Sequence, residues 1–248
     1  MLVILLALVA AGIAAAKPQR AVESQVGELE LSLNGGLRPE RISKTKPTPV
    51  SLSVSGEVRM VDGRRPRPLR EFVLQGDRNV AVDVKGLPTC TAGKLRSRDT
   101  AQAEAICGPA ILGTGELTVD VEFPETLIPA SSKVVAFNGG VSGGTSTIFI
   151  HAYLELPRPA AIVGTVKVKG VRDGPVEAVA SIPPIVEQFA SIKAFDLTIR
   201  KRAVVSAICA DGKINARGVA VFAFNRGSSS GVTRVPWKAT RACAQVGS

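Results

Sequence analysis

One histidine, one tryptophan, one tyrosine and two methionines in 248 residues leave little of the usual chemistry of catalysis or stacking. A single His excludes hydrolases and metal centres that need two or more imidazoles. Aromatic residues make up 4% of the chain, so any core must be built from Val, Leu, Ile and Ala. The same shortage removes the aromatic platform on which bases stack. Long apolar runs are missing after the first 16 residues. The longest uncharged stretch, 134–154, is broken by four glycines and several Ser and Thr, and does not read as a membrane span. No asparagine opens an Asn-x-Ser/Thr acceptor, so nothing points to glycosylation.

What is present is a globular balance, with 45% hydrophobic and 21% charged residues. The length suits one large β domain or two small ones. Thirty-one Lys and Arg stand against 21 Asp and Glu, a formal net charge of +10. Residues 2–13 are almost wholly apolar, and Ala14, Ala15 and Ala16 supply the small residues that signal peptidase accepts before Lys17. The segment has no basic n-region. As a helix it would span about 24 Å, short of the roughly 30 Å hydrocarbon core. Residues 1–16 are therefore expected to be a cleaved secretory signal and the mature chain to carry no transmembrane segment. Position 17 is Lys and not Cys, so a lipid anchor is not indicated. The expected location is extracytoplasmic, secreted or at the cell envelope.

Four cysteines in an exported chain imply two disulfides, for which three connectivities exist. Spacing favours the local pairs Cys90 with Cys107 and Cys209 with Cys243. Neither pair has the CxxC spacing of a zinc site, and no cofactor or metal is expected.

Residues 17–49 read as a polar, basic N-terminal extension and linker. Leu29, Leu31 and Leu33 alternate with Glu28, Glu30 and Ser32 ahead of an Asn34-Gly35-Gly36 turn, and 38–49 read as an extended linker. Strand signals dominate from Val50 to residue 246. Leu117, Val119, Val121 and Phe123 alternate strictly with Thr118, Asp120 and Glu122. Further strands are expected at 133–137, 147–156, 161–169, 192–199, 216–224 and 232–238. One helix is expected over 100–107, capped by Asp99 or Thr100 and stopped by Gly108 and Pro109. One-sided alternation is the mark of antiparallel sheets with one solvated face. The expected fold is an all-β antiparallel sandwich over 50–246, immunoglobulin-like or jelly-roll, with one short helix. A faint echo, Cys90-Thr-Ala-Gly93-Lys94 against Cys209-Ala-Asp-Gly212-Lys213, leaves open whether this is one domain or two related halves.

Asp120 and Glu122 share the wet face of one strand, with Glu125 just beyond, a spacing compatible with a carboxylate pair. Any Asp-x-Glu strand has it. His151 sits among strand formers and reads as a buried or half-exposed strand residue. Asn138 to Thr145 is glycine-rich but lacks the Gly-Lys-Ser/Thr ending of a phosphate loop, so it reads as a turn. Trp237 reads as core. Basic residues cluster at Arg64, Arg65, Arg67 and Arg70, at Lys94, Arg96 and Arg98, and at Arg200, Lys201 and Arg202. The first and third groups are candidate contacts for an anionic ligand.

The segments Val61-Asp-Gly63, Arg67-Pro-Leu69, Gly86-Leu-Pro-Thr-Cys90, Cys107-Gly-Pro-Ala-Ile-Leu-Gly113-Thr-Gly115 and Phe137-Asn-Gly139, with the later Cys209-x-x-Gly212, resemble an uncharacterised family of exported bacterial β-rich proteins. The resemblance covers roughly 50–243. It implies a secreted β-rich module with two local disulfides, and it brings no activity, cofactor or catalytic residue.

The function expected is a secreted, non-catalytic structural or binding module at the cell envelope. Two alternatives stand beside it. A carboxylate-dependent hydrolase requires Asp120, Glu122, Glu125 or His151 to line one concave pocket. A binder of anionic envelope polymer requires the basic clusters to share a face. Nucleic acid is not expected as a partner, and nothing in the sequence fixes the oligomeric state.

Overall fold

The computed structural model describes residues 21–123, 126–155, 158–170, 174–186, 189–226 and 229–246. The expected signal segment 1–16, Lys17 and Glu125 lie outside them.

Four strands precede the long connection at 61–68: β1 (Val22–Val26), β2 (Leu29–Arg38), β3 (Arg41–Ser43) and β4 (Thr48–Met60). After it come β5 (Leu69–Gly76), β6 (Val80–Val82) and two helices, α1 (Ala92–Leu95) and α2 (Thr100–Cys107). A meander follows: β7 (Ile111–Phe123), β8 (Thr126–Ser142), β9 (Thr145–Leu154), β10 (Ala160–Gly170) and β11 (Val176–Ser181). The chain then crosses to β12 (Ala190–Ile199), β13 (Val205–Ala207), β14 (Lys213–Arg226), β15 (Ser229–Ala242) and β16 (Ala244–Val246).

Twelve of these strands join in one path, β1-β2-β4-β12-β7-β8-β9-β10-β11-β5-β14-β15, with every pairing antiparallel. β1, at one end of the path, lies against β15 at the other. The sheet therefore curls into a nearly closed barrel. β13 and β6 extend it at one rim, and β16 pairs with β3 in parallel. This corrects the expected sandwich. One buried face per strand is equally the pattern of a sheet wrapped around its own core, and strand periodicity cannot tell the two apart.

The N-terminal boundary also changes. Residues 22–49, read as extension and linker, form β1, β2, β3 and the start of β4. Leu29, Leu31 and Leu33 enter the core with at most 6% exposure. The alternation that marks a strand was visible there; the partner that buries it, β4, lies across the Pro-rich stretch that suggested a linker.

Away from the wall beneath the helical cap, inward-facing side chains are mostly apolar and outward-facing ones mostly polar. Val58, Val119, Val121, Leu154, Ala220, Phe222 and Val235 fill the interior toward the rim crossed by 61–68, here the lower rim. Val50, Leu112, Ala136, Ile148, Val168 and Ile199 fill it toward the other, upper rim. Partly buried Ile150 and Leu197 pack against both groups, so the core runs the length of the barrel. A lipid-spanning barrel has the reverse pattern, apolar outside and polar within.

Aromatic rings bridge the interior. Phe72 stacks on Trp237 with centroids 5.3 Å apart and meets Phe195 edge-on at 6.5 Å. Two glycines make room for them. A Cβ on Gly56 would sit 2.5 Å from Phe195, and one on Gly218 would sit 2.7 Å from Trp237 and 1.8 Å from the Val73 carbonyl oxygen.

The expected helix is α2, over the residues read from sequence, with Asp99 as N-cap accepting from the Gln102 N–H at 2.8 Å. A shorter helix, α1, precedes it. Together they form a small cap on the outer wall, where Cys90, Leu95, Ala103, Cys107 and Ala110 pack on Val135 and Phe137 of β8.

Candidate functional site

Both disulfides have the local pairing. Cys90–Cys107 closes the cap, with Cα atoms 5.6 Å apart. Cys209–Cys243 ties the end of β15 to the connection between β13 and β14, with Cα atoms 6.1 Å apart. Two disulfides are the mark of a chain that matures in an oxidising compartment. The echo between the two Cys-x-x-Gly segments is not a structural repeat: Gly93 lies in α1, whereas Gly212 takes a left-handed φ of 70° in a strand connection.

Three of the four residues that a hydrolase reading needs have other partners. Asp120, 7% exposed, lies 3.7 Å from the Lys193 ammonium, which a bulge between Ile192 and Ala194 turns toward it. Glu122 is ion-paired with Arg65 at 2.7 Å. His151 is wholly buried on the outer wall beneath the cap. Through Val135, His151 is level with Thr114, six positions along β7 from Asp120. At about 3.3 Å per residue that is roughly 20 Å away. No common pocket joins them.

The His151 ring is held by its surroundings. Nε2 lies 3.1 Å from the Arg98 carbonyl oxygen, which can only accept, so Nε2 carries the proton. Nδ1 is buried without a hydrogen-bond partner, and Phe137 stands edge-on at 6.4 Å. Burial holds the imidazole pKa below its ordinary 6.5, against the opposing pull of the Arg98 carbonyl, Asp99 and Glu104.

Asn138 carries a role the sequence reading missed. It is fully buried, and its amide donates to the Val84, Leu87 and Pro88 carbonyls while its side-chain oxygen accepts from Gly140. The Cys90 N–H donates to its backbone carbonyl at 2.7 Å. One side chain thus pins the chain entering the cap. The available signal was an Asn in strand context beside two glycines, which reads equally well as a turn.

The basic clusters do not share a face. Arg64, Arg65, Arg67 and Arg70 lie at the lower rim or beside it, while Arg200, Lys201 and Arg202 follow β12 at the upper rim. Ile199 pairs with Leu52, eight residues from Met60, which sets the groups roughly 26 Å apart. The lower group is engaged within the chain. Arg64 bonds to Asp62 and, at 3.1 Å, to Glu28; the bond raises the guanidinium pKa and lowers that of Asp62. Arg65 donates to Ser191 at 2.9 Å besides its pair with Glu122, and Arg67 donates to Thr233. Burial lowers the Arg70 pKa. In the upper group Lys201 donates to the Pro109 carbonyl at 2.6 Å, while Arg200 and Arg202 are exposed.

A shallow open groove of about 410 Å³ crosses the outer wall over β2, β4, β12 and β7. Ser32, Asn34, Ser55, Glu57, Glu116, Thr118 and Asp196 line it. Glu116 and Asp196 are direct cross-strand neighbours, an unfavourable like-charge pair left to solvent. Eighty positions separate them, so the juxtaposition is not visible along the chain. Among the described residues no group of three His, Cys, Asp or Glu has the arrangement of a metal site, and no helix is long and apolar enough to cross a membrane. No family model matches the chain, and no curated protein or solved structure is significantly similar to it.

Proposed function

We propose that the protein is an exported, non-catalytic binding or structural module of the cell envelope, a rigid barrel that presents its rim segments to a partner. The observation that carries this reading is the interior. It is filled end to end by apolar side chains and rings, so the barrel offers no internal chamber for a ligand, and what it presents is its outer wall and rims. The two disulfides and the apolar residues 2–13 ahead of Ala14 to Ala16 support export.

The hydrolase reading is not favoured. Asp120 and Glu122 are ion-paired in the wall and His151 is sealed under the cap, so none stands ready to move a proton on a substrate.

Cell fractionation with N-terminal sequencing tests export. The expected result is a chain recovered outside the cytoplasm that begins at Lys17 or within a residue or two of it. Recovery of intact Met1 in the membrane fraction means an anchor and overturns the reading. Pull-down of the mature protein against cell-wall and extracellular fractions tests the binding role.

A further inference from the structure

The upper rim carries a concentration of free cations that the linear sequence scatters over 170 residues. Backbone hydrogen bonds gather four segments around the Cys209–Cys243 bridge. The Cys209 N–H donates to the Ser43 carbonyl, and that of neighbouring Ile208 to the Asn79 carbonyl. The Cys243 N–H donates to Gly212, and Lys213 pairs with Ala242. Ala244 pairs with Arg41. Within one to three residues of these contacts lie Arg41, Lys44, Lys46, Arg78 and Lys213, all exposed. None of the five has a side-chain hydrogen bond or ion pair among the described residues.

One of the nearby carboxylates is ion-paired. Glu40 pairs with Arg38 at 3.0 Å, and Asp77 accepts from Asn79 and Asn215. Asp77 keeps its charge, being bonded only to neutral amides, and Asp83 and Asp211 are exposed, so three acids stand against the five cations. At the lower rim the reverse holds, because Arg64 and Arg65 are answered by Asp62, Glu28 and Glu122. The upper rim thus carries cations without partners among the described residues, where Arg64 and Arg65 at the lower rim have theirs.

We propose that this disulfide-tied rim is a binding surface for a linear polyanion of the envelope; the proposal rests on the reading of the protein as an exported binding module. Five solvated point charges on short connections favour a partner with repeating anionic groups over one small anion, which needs a closed, hydrogen-bonding pocket. Nucleic acid is disfavoured because no aromatic ring stands among these cations to stack a base. Insertion into lipid is disfavoured because the exposed apolar side chains are divided between the rims, with Val61, Leu127 and the ring of Phe189 at the opposite one and the smaller Val141 and Val246 at this one.

The test uses the full mature chain with its disulfides intact and long-chain inorganic polyphosphate as probe. Binding is measured against salt for the parent, for Lys44→Glu/Lys46→Glu, and for a charge-matched control on the barrel wall, Arg234→Glu/Lys238→Glu. Melting curves show that each variant folds. The expected result is a loss of tenfold or more in the rim variant, with its log–log salt slope shallower by about two, one unit for each lost contact. The wall variant should keep a slope close to the parent's. Equal losses in both variants would mean attraction to net charge alone and overturn the site. Tighter binding of single-stranded DNA, or of phosphatidylglycerol vesicles, than of polyphosphate at equal salt would overturn the choice of partner. These outcomes are independent of export, which fractionation decides separately.

Discussion

Arg241 and Gly35 close the seam of the barrel. The Arg241 Nε donates to the Gly35 carbonyl at 2.8 Å, and its Nη2 donates to the Asn34 side-chain oxygen at 3.0 Å. β1 covers β2 only over Leu29 to Leu33. Beyond that point a guanidinium from β15 reaches β2 where no strand lies between them.

Arg241→Ala is therefore expected to destabilise by about 1–2 kcal/mol, since it removes two charge-assisted bonds, the one to Gly35 partly buried and the one to Asn34 exposed. Arg241→Lys should recover only part of the loss, because an ammonium cannot fork to both acceptors. Chemical denaturation gives the energies. Hydrogen exchange should quicken in β1 and β2; unchanged exchange there would remove the seam role.

Reduction of the disulfides should lower Tm markedly. Closing loops with separations of 17 and 34 residues stabilises by roughly 3 and just under 4 kcal/mol in the chain-entropy model. The C-terminal part, tied by Cys209–Cys243, should fray first. Non-reducing peptide mapping should return Cys90 with Cys107 and Cys209 with Cys243, and any crossed peptide would refute the pairing.

Stability should fall in mild acid because of His151. Its pKa is depressed in the folded protein, so below about pH 6.5 the unfolded chain binds the proton more readily. The contribution is complete above that pH and declines as pH drops toward the folded-state value, by up to about 1.4 kcal/mol per unit. His151→Gln keeps a donor for the Arg98 carbonyl and should flatten the dependence between pH 7.5 and 5. An unchanged slope in the variant would assign the effect to other groups.

Gly218→Ala should unfold the protein or cost several kcal/mol, because its Cβ would overlap the Val73 carbonyl and the Trp237 ring. Fluorescence of the single tryptophan reports it directly. Emission should be blue-shifted in the parent, where Trp237 is 6% exposed, and red-shifted in the variant.

The elements were legible wherever local chemistry decided them. The Leu117 to Phe123 alternation is β7, the Asp99 cap starts α2, and cysteine spacing marked both bridges. Closure was not legible. It depends on which strand lies beside β1, and nothing near Val22 names β15. The same distance hid the upper-rim cations: Arg41, Arg78 and Lys213 read as scattered surface charge until the backbone bonds around Cys209 brought them together. The Arg64 to Arg70 run looked stronger for the opposite reason. Its charges adjoin in sequence, while two of the acids that answer them, Glu28 in the β1–β2 turn and Glu122 in β7, come from elsewhere in the chain.

The meeting of β1 with β15 also governs when the fold can be completed. Roughly 200 residues separate the two strands, so the contact that completes the cylinder is among the last that a chain emerging from its N-terminus can make. β4 likewise waits for β12 before it gains a neighbour on the far side. A partly made chain therefore holds hairpins but no finished wall. Cys243 follows β15 directly, so the second bridge waits for the last long strand to appear, and it then ties that strand to the connection ahead of β14.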